Sequence, residues 1–430
     1  MRIENAKLGM AREPLAAPFG FKGAYLTELW QTAAGLSAGM ARGTGLGVQS
    51  VLWSDAEIFA VMGQEKGNAL MLDMSRYALR LLEGAELTAP TDMLTWLLPR
   101  VLAYGRERSG KSDIRETFAL NALVCVDNAL WQLWAREQGT EDFTALIPAR
   151  YRAPLSRRQP ALGCIPLVSY ATSEEEILHL ADEGAFLLKI KIGSDPERDG
   201  DREKMLCWDA SRLSRIHELL KDRRTTHTQS GRILYYLDAN GRYDSIDRLM
   251  RLIYHADKIG ALERIALLEE PFPENFRSDV SSVPLRLAAD ESAHSDTDAL
   301  RLIGQGYSAM ALKPIAKTLS MSLKVLDVAA KYDIPCFCAD LTVNPFLCEF
   351  NKNVAARMAP LPGLKLGVME SNGAQNYKNW DKMCTYHPLH VSSYNYLSEN
   401  GIFSLEDEFY RHCGGIFMDA PAYDRLLKPI

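Results

Sequence analysis

Long apolar runs are missing from this 430-residue sequence. No stretch of about 18 consecutive apolar residues occurs, so we expect no membrane span. The first 20 residues have no apolar core of the kind found in signal peptides, and we expect a cytoplasmic protein without a secretory leader. Low-complexity tracts and short repeats are also absent. The hydrophobic fraction of 47% and the charged fraction of 24% exclude a disordered, collagen-like or coiled-coil chain.

An excess of positive charge is lacking too. Lysine and arginine total 49 against 55 aspartates and glutamates, a formal net charge of −6, so no nucleic-acid partner is expected. The 8 cysteines form no CxxC pair, which favours reduced thiols. The 8 histidines form no HExxH motif or His/Cys cluster, which argues against a zinc site.

Three regions of the sequence differ in their pattern of apolar and polar residues. Residues 1–155 mix strand-like segments (27–36 and 38–48, around a turn) with segments of helical period (57–84 and 113–139), and they predict a small α+β capping domain. Residues 156–379 form a second domain, which begins in a basic, proline-flanked linker. Residues 380–430 form an aromatic, loop-like tail that we expect to pack back on the capping domain and complete it.

The second domain alternates short apolar runs with longer helical stretches, which indicates parallel strands joined by right-handed crossovers. Eight such runs favour an α/β fold with a closed (β/α)₈-type barrel, although a miscount would leave an open doubly wound sheet. The runs cover residues 165–170, 186–192, 233–238, 265–269, 285–289, 309–313, 334–338 and 364–369.

Charged residues interrupt the second run. Lys189 and Lys191 lie two residues apart and therefore point to the same face of the strand. Charges inside a parallel strand are costly, so we expect both lysines in a barrel mouth, where burial and mutual repulsion would lower their pKa. The alternative is a solvated lysine pair on an edge strand.

Polar residues also end the runs that follow. Asp238 and Asn240 end the third run, Glu269 the fourth, Asp290 the fifth and Lys313 the sixth. Catalytic groups of such barrels lie at the C-terminal ends of strands, and barrel closure would bring the three carboxylates together. Three like charges need a cation, and oxygen ligands suit Mg²⁺. A single acidic strand end is more often a helix cap.

With these motifs the chain resembles the enolase superfamily, and in particular the branch of mandelate racemase, muconate lactonizing enzymes (muconate cycloisomerases) and dipeptide epimerases. The resemblance covers nearly the whole chain, and residues 122–136 resemble the helix that leads into the barrel in that family. It rests on Lys189-x-Lys191, Asp238-x-Asn240, Glu269-Glu270-Pro271, Asp290-Glu291-Ser292 and Lys313.

The resemblance implies that Asp238, Glu269 and Asp290 hold Mg²⁺, for which Mn²⁺ could substitute, and that the ion binds a substrate carboxylate. It implies that Lys191 and Lys313 face each other across the α-carbon, one removing the proton and the other returning one, while the ion stabilises the enediolate. Lys189 would be a supporting cation. Residues that would contact the substrate are Glu370, Asp340, Asn240 and Phe19, the last in a lid at 18–25 that Gly20 and Gly23 would let move and in which Phe21 would help exclude water.

Three motifs of the family are absent from this sequence, and their absence narrows the choice of activity. No Gly-Gly turn follows Lys313, no histidine follows the seventh run, and no acidic pair of the kind that grips a dipeptide amine follows the eighth. We therefore expect an isomerase (racemase, epimerase or cycloisomerase) acting through two lysines on a small carboxylate, with an acid-sugar or other carboxylate dehydratase as the alternative. The resemblance also implies a homo-oligomer.

Rival interpretations come from two glycine motifs. Residues 105–112 match the phosphate-binding pattern GxxxxGKS, but the segment before them has a helical period and the loop interior is bulky and charged. Gly43-x-Gly45-x-Gly47 is a weak dinucleotide signal that fits a strand turn better. A barrel kept only as a non-catalytic scaffold is the remaining alternative, and its intact lysines and carboxylates argue against it.

Overall fold

The computed structural model describes residues 1–21, 24–392 and 394–430. Its strands are β1 (Asn5–Phe21), β2 (Ala24–Ala38), β3 (Ala41–Gln49), β4 (Ala161–Ile165), β5 (Leu167–Val168), β6 (Leu187–Lys191), β7 (Leu234–Asp238), β8 (Ile265–Glu269), β9 (Leu287–Ala289), β10 (Ala309–Leu312), β11 (Cys336–Cys338), β12 (Gly367–Glu370), β13 (Ile402–Ser404) and β14 (Lys428–Pro429).

The α-helices are α1 (Val51–Ser54), α2 (Ala56–Leu82), α3 (Pro90–Ser109), α4 (Glu116–Gln138), α5 (Phe143–Leu146), α6 (Glu174–Asp182), α7 (Arg202–Leu220), α8 (Ile246–Lys258), α9 (Asp296–Gln305), α10 (Pro314–Lys317), α11 (Leu319–Lys331), α12 (Pro345–Ala355), α13 (Gly373–Asn376), α14 (Trp380–Cys384), α15 (Asp407–His412) and α16 (Pro421–Asp424). Short 3₁₀ turns lie at Ala149–Tyr151, Ala153–Leu155, Leu262–Arg264 and Cys413–Gly415. None of the helices that the structure describes is long and apolar enough to cross a membrane.

An antiparallel sheet of order β14-β1-β2-β3 forms the N-terminal layer, with helix α4 packed against it. Strand β1 was not predicted. Its register with β2 shifts between Pro14 and Phe19, so its apolar alternation is broken in the sequence. The turn between β2 and β3 falls at Gly39 and Met40.

The glycine triplet of β3 lies inside the strand, so its interpretation as a strand turn was wrong. A side chain at Gly45 would meet the backbone nitrogen of Ala129 and the carbonyl oxygen of Cys125, each at 2.1 Å, and one at Gly43 would meet the Ala129 carbonyl oxygen at 2.5 Å. Glycine is needed here because α4 approaches the backbone of the sheet closely. The motif therefore serves packing and not dinucleotide binding.

The barrel closes through a first strand that Pro166 interrupts. Before the proline, β4 pairs in parallel with β12; after it, β5 pairs in parallel with β6. The strands between run in chain order, β6-β7-β8-β9-β10-β11-β12, so counting β4 and β5 as one gives the eight strands expected from the apolar runs. The open doubly wound sheet is therefore excluded. In the crossover from β8 to β9, residues 270–286, no α-helix is described.

A separate apolar cluster fills the barrel. It includes Tyr236, Leu267, Ala288, Ala311 and Phe337, which come from successive strands. The alanines of β9 and β10 leave room for the larger side chains of the neighbouring strands, as in a packed barrel core with no pore.

The C-terminal tail contacts both parts of the molecule. β13 pairs antiparallel with barrel strand β4, and β14 pairs antiparallel with β1 of the N-terminal sheet. The tail contains short helices and strands, so the expectation of a loop-like segment was wrong.

The secondary structure around residues 105–112 excludes a phosphate-binding loop. Residues 105–109 are the last turn of α3, and Gly110 ends that helix in the left-handed conformation at φ 71°. A phosphate loop must leave a strand, whereas this segment leaves a helix. The motif is a helix C-cap.

Candidate active site

A cleft lies over the C-terminal ends of the barrel strands, where the sheet of the N-terminal layer covers it. Its floor is polar and its roof is apolar. The roof residues come from β1 and β2, and the floor residues come from strand ends around the barrel. The lining includes Leu15, Phe19, Leu26, Leu29, Ser50, Trp53, Leu167, Lys189, Lys191, Asp238, Asn240, Asp290, Glu291, Lys313, Asp340, Leu341, Thr342, Glu370 and Asn372.

Lys189 is buried in the floor of the cleft, where its ammonium group contacts three carboxylates. Its Nζ lies 3.1 Å from Asp238 Oδ2, 2.9 Å from Glu269 Oε2 and 3.1 Å from Glu370 Oε2. Burial alone would lower the pKa of Lys189, but these carboxylates outweigh it and raise the pKa well above its usual value. The expectation of a lowered pKa was therefore wrong for this lysine. Lys189 stays an ammonium ion, as a supporting cation requires.

Lys191 is the more accessible lysine of the pair, with 16% of its side chain exposed. Its Nζ donates to Asp238 Oδ2 at 2.6 Å and to Asn240 Oδ1 at 2.7 Å. Asn240 in turn donates from Nδ2 to Glu291 Oε1 at 2.9 Å, so its amide is fixed at both ends. The two lysines hold the pKa of Asp238 well below its usual range against the effect of burial. Asn240 thus orients Lys191.

A compact acidic group lies beside the lysines. Glu269, Asp290 and Glu291 each offer a carboxylate oxygen, and these oxygens lie within 4.8 Å of one another. Burial, and next the Asp290 charge, raise the pKa of Glu269 to about 8. Buried Glu269 Oε1 and Glu291 Oε2 have no hydrogen-bond partner among the described residues. Three hard oxygen donors and two open lone-pair sites fit a divalent cation.

The acidic group differs from the predicted ligand set in one member. Glu269 and Asp290 belong to both, whereas Glu291 takes the place expected for Asp238. Asp238 lies beside the group, because its Cα pairs with that of Glu269, but its Oδ2 contacts both Lys189 and Lys191. The hydroxyl of Tyr236 donates to Glu269 Oε2 from below.

Lys313 follows β10 and is almost fully buried. Its Nζ contacts Asp290 Oδ2 at 2.6 Å and lies 4.6 Å from the ring centre of Trp53. Burial lowers the pKa of Lys313, but the Asp290 carboxylate outweighs burial and the net pKa is raised. Pro314 begins α10 directly after it and fixes the backbone at that point. The resting protein therefore presents Lys313 as an ammonium ion.

A second lysine, Lys317, contacts Asp290. Lys317, at the end of α10, donates from Nζ to the carbonyl oxygens of Asp290 and Ala293. Its burial lowers its pKa. Lys317 occupies the segment where the family's Gly-Gly turn is absent from this chain. It ties α10 to the loop after β9.

Asp340 and Glu370 lie at the ends of β11 and β12. The Asp340 backbone N–H donates to Glu370 Oε2 at 3.2 Å, and Asp340 Oδ2 accepts from the Asn372 N–H at 2.8 Å. Burial, and then the Glu370 charge, raise the pKa of Asp340 to about 7. Asn372 is itself held, since its Oδ1 accepts from Thr342 Oγ1 at 2.8 Å. Asp340 and Glu370 therefore both lie in the cleft, and a hydrogen bond from the Asp340 backbone to the Glu370 carboxylate joins them.

Two strand ends have unusual backbone. Asn240 has φ 43° and Glu270 has φ 39°, both in the left-handed region that non-glycine residues seldom adopt. Glu270 is held there because its carboxylate accepts from the backbone N–H groups of Asp290 and Ser292. Such strain is concentrated at functional sites.

The predicted lid is the tip of the β1–β2 hairpin. Phe19 is half-buried and lines the cleft, while the hydroxyl of Tyr25 accepts a hydrogen bond from Arg198 at 3.2 Å. Gly20 lies within β1. Lys22, Gly23 and the side chain of Phe21 lie outside the described residues.

Among the polar and aromatic residues that sequence reasoning did not assign to the site are Trp53, Glu291 and Asn372, which line the cleft, and Lys317, which contacts Asp290. Only Glu291 had a local signal, its place beside Asp290. Adjacent residues of a strand point to opposite faces, but β9 ends at Ala289, so that alternation does not hold for the pair. The other three reach the site only through tertiary packing.

Comparison with solved structures identifies the fold of this chain. No protein-family model matches the chain, and no curated protein sequence matches it. A mandelate racemase/muconate lactonizing protein from Herpetosiphon aurantiacus superposes with a TM-score of 0.65 at 17% identity, over 94% of this chain and 96% of that one. The chain has the mandelate racemase/muconate lactonizing enzyme fold.

Two further structures that share this fold carry an activity in their names. A dipeptide epimerase from Cytophaga hutchinsonii, in complex with Mg and the dipeptide D-Ala-L-Val, gives a TM-score of 0.63 at 16% identity, over 87% of this chain and 88% of that one. An N-succinyl Arg/Lys racemase from Bacillus cereus gives 0.63 at 14% identity, over 94% and 93%. Identities this low support the shared fold alone.

Proposed function

We propose that this protein is an isomerase, a racemase, epimerase or cycloisomerase that removes the proton α to a carboxylate and returns one. The observation that carries the proposal is one cleft in which Lys191 and Lys313 flank the acidic group of Glu269, Asp290 and Glu291. The proposed substrate is a small carboxylate.

The positions of the two lysines in the barrel support proton transfer at opposite faces of the substrate. Lys191 ends β6 and Lys313 follows β10, which are the second and sixth strands of eight. Strands four apart in a closed eight-stranded barrel face each other across the axis. A lysine on each face can take a proton from one side of the α-carbon and return one on the other.

The two lysines have different surroundings in the cleft. Lys313 is held as an ammonium by Asp290 and by the face of Trp53, so it is ready to donate a proton. Lys191 is the more accessible of the two, and Asn240 and Asp238 aim its Nζ. Lys191 therefore acts first as the base, and the reverse direction exchanges the roles.

A divalent cation, Mg²⁺ or in its place Mn²⁺, fits the acidic group. Glu269 and Asp290 would hold it, with Asp238 and Glu291 on either side to supply further oxygens. Bound there, the ion would supply a Lewis acid for the substrate carboxylate. Lys189 remains an ammonium ion between Asp238, Glu269 and Glu370, so it keeps their carboxylates in place at neutral pH.

An isomerase is favoured over an acid-sugar dehydratase by the roof of the cleft. Leu15, Leu26 and Leu29 are apolar, whereas a polyhydroxylated acid needs hydrogen-bond partners on that side. The names of the epimerase and the racemase that share the fold agree with this choice.

The test is Mg²⁺-dependent exchange of the α-hydrogen of carboxylates in D₂O, followed by NMR over a panel of compounds. We expect exchange with at least one member, and loss of exchange when EDTA removes the ion. The panel contains racemisable acids and acid sugars, so inversion and loss of water are both detected. Loss of water without inversion would establish the dehydratase instead, and no exchange with any member would refute the proposal.

A further inference from the structure

A buried carboxylate of helix α7 lies behind the site. Asp209 is fully buried, and its Oδ1 and Oδ2 accept from the backbone N–H of Gly193 at 2.9 and 2.8 Å. Oδ1 also accepts from the Ser194 N–H at 3.4 Å, and Oδ2 accepts from the hydroxyl of Tyr243 at 2.7 Å. Asp209 is not among the residues that line the cleft, so it has no direct part in the proposed proton transfer.

The burial of this carboxylate costs free energy. No ion pair to Asp209 is formed by the residues that the structure describes, and burial raises its pKa to about 6. Stability alone does not require such a group, because replacing a buried polar pair by apolar side chains of the same shape can be nearly neutral or stabilising. The contacts of Asp209 are better explained by the backbone that they hold in place.

The first segment that Asp209 holds is the turn after β6. Lys191 ends β6, and the chain turns two residues later at Gly193, whose φ is 80°. The amide of that turn points at the Asp209 carboxylate. Between the two residues, the carbonyl oxygen of Ile192 accepts from the hydroxyl of Tyr170 at 2.9 Å. The backbone that carries Lys191 is therefore tied down directly behind its side chain.

The second segment that Asp209 holds is the loop after β7. Tyr243 is fully buried and lies three residues after Asn240. Its hydroxyl donates to Asp209, and its backbone N–H donates to the carbonyl oxygen of Pro271 at 3.0 Å. Asn240 has φ 43°, a left-handed conformation that the surrounding structure must hold in place. The anchored Tyr243 supplies part of that support.

These contacts complete a ring around one pair of residues in the cleft. Lys191 Nζ donates to Asn240 Oδ1 at 2.7 Å, and Asp209 joins the backbones behind the two side chains. Lys313 follows β10, four strands from β6, and lies outside this ring. A change at Asp209 therefore acts on one lysine of the site and not on the other.

We propose that Asp209 and Tyr243 are positioning residues that fix the Lys191–Asn240 pair, and with it the proton transfer at one face of the substrate. This inference rests on the proposed function and gives a support to only one of its two lysines. A purely structural role of Asp209 would affect both faces alike, so the two roles can be separated by experiment.

Two variants remove the contacts. Asp209→Leu keeps the approximate shape of the side chain and removes both acceptors, and Tyr243→Phe removes only the hydroxyl. For the enantiomer that Lys191→Met fails to exchange, kcat should fall about tenfold in Asp209→Leu and about fivefold in Tyr243→Phe, with KM changed by less than about twofold. For the other enantiomer, kcat should stay within about twofold of that of the unaltered protein.

Crystal structures of the variants give a readout that needs no substrate. In each, the distance from Lys191 Nζ to Asn240 Oδ1 should exceed about 3.5 Å, which is beyond hydrogen-bond range. The matched controls are Tyr235→Phe, at a buried tyrosine of β7 whose hydroxyl contacts His217, and Asp222→Leu, at an exposed position. Neither control should change this contact or the exchange of either enantiomer.

Three results would overturn the inference: an intact Lys191–Asn240 contact in either variant, an equal fall in kcat for both enantiomers, or exchange of both enantiomers at the normal rate. If Asp209→Leu does not fold, Tyr243→Phe alone decides. A lost contact in the variants of a protein that exchanges no carboxylate would keep the positioning of the pair and refute the isomerase. An intact contact together with normal exchange would refute the positioning role and leave the isomerase standing.

Discussion

Lys191 and Lys313 leave strands β6 and β10, which lie four strands apart in a closed barrel of eight. Each contacts a different carboxylate, Asp238 at 2.6 Å and Asp290 at 2.6 Å, so the acidic floor lies between the two lysine side chains. The pair therefore brackets whatever binds to that floor. A symmetrical placement of this kind allows chemistry at both faces of one carbon atom.

Replacing either lysine should abolish exchange from one face only. Lys191→Met and Lys313→Met keep the stem of the side chain and remove the amine. We expect each to lose exchange with one enantiomer of the substrate by about 10³-fold, and to lose inversion with both. Exchange is measured separately for the two enantiomers by NMR in D₂O.

The control for the lysine variants is Lys204→Met, an exposed lysine of α7 outside the cleft. It should exchange both enantiomers at the normal rate. Equal loss for both enantiomers in Lys191→Met and in Lys313→Met would mean that the lysines do not serve separate faces.

Removing a carboxylate from the acidic group should remove the effect of Mg²⁺ on stability. An ion that binds only the folded protein at 100 times its dissociation constant stabilises it by about 2.7 kcal/mol, so the unaltered protein should melt at a higher temperature with Mg²⁺. Glu269→Gln and Asp290→Asn should show little or no shift, because each removes an anionic ligand. Glu263→Gln, an exposed glutamate, is the control.

Thermal unfolding with and without Mg²⁺, and after EDTA, measures that effect. A normal Mg²⁺ shift in Asp290→Asn would contradict the metal assignment. The same titration with Asp238→Asn and Glu291→Gln distinguishes the predicted ligand set from the compact group.

The barrel could be predicted because its signal is local. Each strand buries both faces, so it appears in the sequence as a short apolar run, and the second to sixth runs end at or near the polar residues of the candidate site. Strand β1 carries no such run, since Pro14 and the register shift that follows it interrupt the apolar pattern. Its assignment depends on pairing with β2, which no local pattern reveals.

The electrostatics of the cleft could not be predicted from local pattern. Lys189 and Lys191 suggested mutual repulsion, but Asp238, Glu269 and Glu370, the last 181 residues further along the chain, contact Lys189 and together reverse the direction of its pKa shift. Trp53 likewise reaches Lys313 only because the N-terminal layer packs on the barrel mouth. Contacts of this range depend on the fold.

Gly45 should be irreplaceable. A Cβ there would meet backbone atoms of Ala129 and Cys125 at 2.1 Å, and backbone of the buried helix α4 cannot move aside cheaply. We expect Gly45→Ala to lower the free energy of unfolding by about 3 kcal/mol or more, since overpacking commonly costs 1–3 kcal/mol. The measurement is urea unfolding.

The matched glycine is Gly304 in α9, around which a Cβ would meet nothing within 4 Å. Gly304→Ala should raise the free energy of unfolding by roughly 0.5–1 kcal/mol, because alanine loses less backbone freedom in a helix. Equal effects at the two positions would refute the packing explanation of the β3 glycines.

Asp127 should make the protein less stable as pH rises through the weakly acidic range. It lies buried in α4, where its carboxyl accepts from the backbone N–H of Ser320 at 3.1 Å, and burial raises its pKa to about 7. In the unfolded chain an aspartate titrates near pH ~3.9. Between about pH 4 and 7 Asp127 therefore keeps its proton in the folded protein and loses it in the unfolded chain. Its contribution to the free energy of unfolding falls as pH rises through this range.

Asp127→Asn removes this titration and should flatten the dependence over that window, by an amount on the order of 4 kcal/mol for a shift of about three pKa units. Urea unfolding at intervals from pH 4.5 to 7.5 measures the slope for both proteins. Asp333→Asn, at an exposed position, should keep the slope of the unaltered protein. If Asp127→Asn also keeps that slope, the carboxyl of Asp127 is ionised throughout the window, and its contact with Ser320 is strong enough to offset its burial.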